Sequence, residues 1–160
     1  NMTVFITVFS GVLVYVIGQI IMKLIIDPIN DLKKAISKIV YDLVFYANVL
    51  GNPKGPDNEN MVSTCKIMRQ HSSILHAATH LVPAYKYIYK PFGIPSPEEI
   101  KKATNKLIYL SNGYDGPLTN QGILNIYTMQ EVQLCLGVPI PEGERLNPDD
   151  KIMFIRGKNQ

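Results

Sequence analysis

Across 160 residues the chain carries 16 basic and 13 acidic side chains, and 46% of it is apolar. A formal charge of +3 is too mild to argue for nucleic acid as a partner. Setting aside an apolar front leaves about 135 residues, room for one compact domain and one core. The two cysteines, Cys65 and Cys135, lack metal-ligand spacing and read as buried thiols in a reducing compartment.

Asn1 through Met22 contain no Asp, Glu, Lys, Arg or His. As a helix this stretch rises about 1.5 Å per residue and spans roughly the 30 Å hydrocarbon layer of a bilayer. It predicts a transmembrane anchor over residues 1–26. A cleaved signal peptide would need a basic start and a small-residue cleavage pair, and neither is present. Lys23, Lys33, Lys34 and Lys38 follow the span closely. The positive-inside rule therefore predicts a single pass through the inner (cytoplasmic) membrane, with the N-terminus outside and the rest cytoplasmic. Lys23 is placed to snorkel toward headgroups. Tyr15 lies too deep for an interface anchor, and it and Gln19 are expected to face another helix, which points to self-association or a partner protein. Ser10 and Gly11 are small, but no GxxxG motif occurs.

Asp27-Pro28 is a helix-start signal and predicts that the membrane helix ends or kinks there. From Pro28 to Leu50, apolar residues fall at Ile29, Leu32, Ile36, Ile39, Leu43, Tyr46 and Leu50, alternating steps of three and four. Val40, Val44 and Ala47 are expected to widen this stripe into a core face, with Asp31, Lys33, Lys34, Lys38 and Asp42 on the solvated side. The alternative is a parallel oligomeric coil continuing from the membrane. Residues 51–58 read as a loop, and a second long helix over 58–82 carries Met61, Cys65, Met68, Leu75, Thr79 and Val82 on its seam. The short connection predicts an antiparallel hairpin.

Tyr85, Tyr87, Tyr89 and Phe92 interleave with Lys86 and Lys90. The pattern reads as a connector packing its rings on the core, with membrane-interface contact and base stacking as alternatives. Ser96-Pro97-Glu98-Glu99 is a capping box opening a helix over 97–112. A turn is expected from Tyr114 to Pro117, then a last helix over 120–136 stopped by Gly137. The tail, 142–160, is polar; Asp149-Asp150 reads as solvated and Lys151 to Arg156 as a short strand or edge segment.

Two stretches then resemble one family. IGQIIMKLIIDPINDLKKAISKIVYDLVFYANV, from Ile17 to Val49, is similar to short, uncharacterised bacterial membrane proteins. In these a membrane helix runs through Gly-Gln into a "P-I-x-x-L-K-K-x-I" helix ending in "F-Y-A-N". IPSPEEIKKATNKLIYLSN, from Ile94 to Asn112, resembles the same family's later helix, and Leu134 to Val138 resembles its "L-L-G-I" close. The resemblance implies a single-pass anchor with a helical cytoplasmic domain, and no reaction.

Candidate chemistry is sparse. His71, His76 and His80 share one predicted helix and read as polar surface residues. His76 and His80, four apart, share a face on which a metal would still lack ligands. Arg69 and His76 resemble the R-x4-6-H signature of HEPN-type ribonucleases, which implies an acid-base His76 and a phosphate-stabilising Arg69. No nucleophile elbow, phosphate loop, dinucleotide fingerprint or zinc-protease motif occurs. The expectation is an all-α chain. A transmembrane anchor precedes a cytoplasmic four-helix domain over 27–141 that acts as a non-enzymatic assembly module without cofactor or metal. A bilayer-perturbing effector with clustered anchors and a membrane-bound ribonuclease are the alternatives.

Overall fold

The computed structural model describes residues 1–116 and 120–156. Pro117, at the end of the expected 114–117 turn, and the last four residues of the tail lie outside them. The described chain is all-helical, with no strand.

With no charge to interrupt it, the apolar front forms helix α1, Met2–Ile21, none of whose residues is buried. It continues through a π turn, Met22–Ile26, into α2, Asp27–Phe45, making one helix of 44 residues that is long and apolar enough to cross a membrane. The helix therefore does not end at Asp27-Pro28, and the local disturbance there takes the form of the π turn. Proline lacks the N–H that would reach back one α-helical turn, and its ring crowds the carbonyl there. The backbone answers by widening: the Asp27 N–H bonds the Met22 carbonyl five residues back, and Asp27 stays right-handed helical at φ −59°, ψ −48°. Asp27 caps nothing; its carboxylate takes Lys23 Nζ at 3.2 Å.

α2 ends at Tyr46, whose φ −95°, ψ 10° departs from helix, and a short α3, Ala47–Gly51, follows. The expected 28–50 helix thus comes in two pieces. Asn58 caps α4, Glu59–Leu81, by accepting from the Met61 N–H at 2.9 Å. A short α5, Tyr85–Ile88, begins after Ala84, a left-handed residue at φ +49°. Ser96 caps α6, Pro97–Leu110, accepting from the Glu99 N–H at 3.2 Å. The return arm of the capping box is not made, because Glu99 takes Lys102 instead. α7, Gln121–Cys135, ends where Gly137 turns left-handed at φ +79°.

The tail corrects a second expectation: Pro148–Arg156 is a helix, α8, rather than a strand. Its local signals are helical. Asn147 Oδ1 accepts from the Asp149 N–H at 3.0 Å, Pro148 opens the helix, and Asp149 and Asp150 occupy its first turn.

α4 is the centre of the domain, packed against α2, α3 and α6; α7 then joins α6 to α3 and α8. α4 and α6 run antiparallel, as Cys65 reaching Leu110 and Ser72 reaching Thr104 require. Both predicted seams are core: Leu32, Ile39 and Leu43 of α2 meet Met61, Met68 and Leu75 of α4 in a wholly buried layer. The shoulders divide: Ala47 packs against the core and Val40 is half-buried, but others are not covered. Val44, Ile74 and Leu81 are all exposed, because α2 and α4 are each covered on only part of their circumference. The four expected long helices are present; α3, α5 and α8 are additional short ones.

Candidate functional site

The most concentrated buried chemistry lies between α2 and α4. His71 Nε2 stands 2.6 Å from Asp42 Oδ2, and Lys38 Nζ donates to Asp42 Oδ1 at 3.1 Å. Asp42 and His71 are 5% and 6% exposed, so both corrections are plain: neither belongs to the solvated side. The reason is geometric. His71 falls three residues after Met68 and four before Leu75, beside Ser72 in the gap of the α4 seam, and both are buried. Asp42 adjoins Leu43 and sits three after Ile39, close enough to the α2 seam to be carried inward. A buried carboxylate needs a partner, and His71 and Lys38 supply two. The neighbouring Ser72 hydroxyl donates to the Thr104 carbonyl at 3.1 Å and so is turned away from the imidazole. This arrangement fixes how α2 sits on α4.

A second buried polar group ties α3, α7 and the turn after α6. Asn125 Nδ2 donates to the carbonyls of Leu50 and Gly113, both at 2.9 Å, while its Oδ1 accepts from Gln121 Nε2 at 2.9 Å. A side chain at Gly113 would press on Asn125 at 2.8 Å, and one at Gly122 would run into the Gly51 carbonyl. These contacts are backbone-satisfying and structural. A shallow cleft at this end has Lys54 and Asp115 as its charged lining residues.

The third cluster joins α6, α7 and α8, where Glu131 takes both Lys106 and Lys151. Burial lowers the pKa of both ammonium groups. Nearby, burial pushes the Cys135 thiol up to about 11, with Glu99 contributing in the same direction. Burial also raises the Cys65 thiol, so both cysteines are held protonated and unreactive.

The aromatic connector packs as expected for three of its four rings. Tyr85, Tyr89 and Phe92 lie against the core; Tyr85 Oη donates to the Pro95 carbonyl at 2.6 Å, and burial pushes its pKa up to about 12. Tyr87 alone is exposed, with Lys86 over its ring.

Arg69, His76 and His80 are exposed on α4. Arg69 and His76, seven apart, share a face about 10 Å apart along the axis. Among the described residues neither side chain makes a hydrogen bond, and no group of three or more His, Cys, Asp or Glu residues gathers as a metal site would require. Tyr15, Gln19 and Lys23 are exposed on the long helix, Lys23 paired with Asp27. Sequence reasoning missed the Asp42–His71 pair; the gap in the α4 seam was the signal that pointed to it. Comparison with protein-family models, with curated proteins and with solved structures finds no match to this chain.

Proposed function

We infer that this chain is a membrane-tethered interaction module, which works by assembling with itself or with a partner protein at the cytoplasmic face of the inner membrane. The observation that carries the reading is the unbroken helix from Met2 to Phe45, in which a bare apolar half leads directly into a half packed on the domain. An apolar helix with no buried residue needs lipid around it. Because no flexible linker intervenes, the domain's position follows the span, which suits a module that reports or enforces assembly. The lysines after the span favour a cytoplasmic domain. The buried polar groups are occupied in holding helices together, so they support binding rather than turnover.

The test uses the full chain in its own membranes. An alkaline carbonate wash should leave it in the membrane fraction, and an amine crosslinker should trap a dimer or a specific adduct. A chain released by the wash, or one that sediments as a monomer and yields no adduct, contradicts the reading.

A further inference from the structure

We propose that a second copy of this chain packs in parallel along one face of the long helix, on a stripe joining Tyr15 and Gln19 in the span to Tyr41 and Phe45 on α2. This rests on the self-assembly reading above and specifies the face that carries it.

The C-terminal end of the α2 surface opposite its core seam is unusual for a solvated helix, although Asn30, Lys34 and Ser37 before it are polar. Tyr41, Val44 and Phe45 are 58%, 66% and 63% exposed. The rings of Tyr41 and Phe45 stack at 5.9 Å, so they already form one surface. The seam expected to make a coil, from Ile29 to Leu50, is spent on intramolecular packing, which leaves this other face for association.

The π turn aligns that face with the side of the span that carries Tyr15 and Gln19. Tyr15 and Gln19 each precede Tyr41 and Phe45 by 26 residues. In an uninterrupted α-helix that separation leaves the pairs about 80° apart around the axis. A π turn absorbs roughly one extra residue, which brings them to within about 20°. Gln19 then lies over Phe45, and Tyr15 over Tyr41.

Area chooses the occupant. Three partly exposed side chains offer only about 300 Å². A specific interface buries about 800 Å² per partner, so a separate soluble protein would find too little here. The shortfall has to come from the span, and the occupant must therefore be another membrane helix continuing alongside α2. A second copy meets that demand. Parallel copies place identical residues at equal depth, and a glutamine amide, both donor and acceptor, complements itself where lipid offers it nothing. The lysines on the stripe are already paired, Lys34 with Asp31 at 3.7 Å and Lys38 with Asp42 at 3.1 Å.

Copper-catalysed oxidation of variants of the full chain, each with one added cysteine, in native membranes tests this. Cys65 and Cys135 are buried, so the unaltered chain serves as background. Tyr15→Cys, Gln19→Cys, Tyr41→Cys and Phe45→Cys are each expected to form disulfide dimers at least tenfold faster than Ser63→Cys, an exposed position on α4. Dimers at 15 and 19 without dimers at 41 and 45 overturn the proposal and leave self-assembly through the span standing. No dimers anywhere overturn both. Dimers at Ser63 as fast as at Tyr41 show random collision and overturn the proposed face.

Discussion

The two halves of the long helix share one geometry and differ in everything else. Met2–Ile21 is apolar on all sides and buries nothing; Asp27–Phe45 is apolar on a stripe and buries Ile29, Leu32, Ile39, Asp42 and Leu43. The angular spread of apolar residues separates them: a helix apolar around its circumference is suited to lipid, and one apolar on a stripe is suited to a protein core. The π turn before Pro28 is what lets one rod serve both.

The largest break in this comparison should come from Asp42→Ala. It leaves His71 beneath α2 without its hydrogen-bond partner and should cost the domain about 3 kcal/mol. Thermal unfolding of the purified chain would fall sharply while the span still partitions into membranes; an unchanged midpoint would show the pair to be incidental. Adjacent residues sharpen the same contrast. Leu43→Ala should cost about 2–5 kcal/mol, but Val44→Ala less than about 0.5 kcal/mol, as denaturant titration would report. Equal costs would mean that the exposed side of α2 is misjudged.

Alkali should loosen the domain and spare the span. The Cys135 thiol rises from its ordinary 9.0 to about 11 in the fold, and the Tyr85 phenol from 10.0 to about 12. A group raised in this way stabilises the fold fully below its unfolded value, and that contribution is lost as pH climbs through the folded one. Stability should hold to about pH 9 and decline from there toward 12; a flat profile across that window would contradict the burial of both groups. Ser96→Ala should cost about 1 kcal/mol through the lost α6 cap, with no change in membrane retention.

What was legible in advance follows the same division. Local and periodic signals read through: the charge-free front, both seams, and the stops and starts at Asn58, Ser96 and Gly137. The continuous passage through Asp27-Pro28 did not, because a π turn takes up the proline between two strongly helical stretches, only the second of which packs on the domain. The α8 helix was read as an edge strand from its apolar run, although Asn147 and Pro148 announced a cap. Asp42 and His71 stand 29 residues apart, and only the way α4 folds back on α2 brings them together. Val44 looked like core because the seam was assumed to be covered more widely than α4 covers it.

The central claim is that Met2–Ile21 lives in lipid while the domain beyond it lives in water. Labelling Val12→Cys and Ser63→Cys with a membrane-impermeant maleimide, in sealed vesicles of both orientations, tests it most directly. The account predicts that Val12→Cys stays unlabelled from either side, and that Ser63→Cys reacts only where the cytoplasmic face is outward. Labelling of Val12→Cys as fast as Ser63→Cys would contradict it.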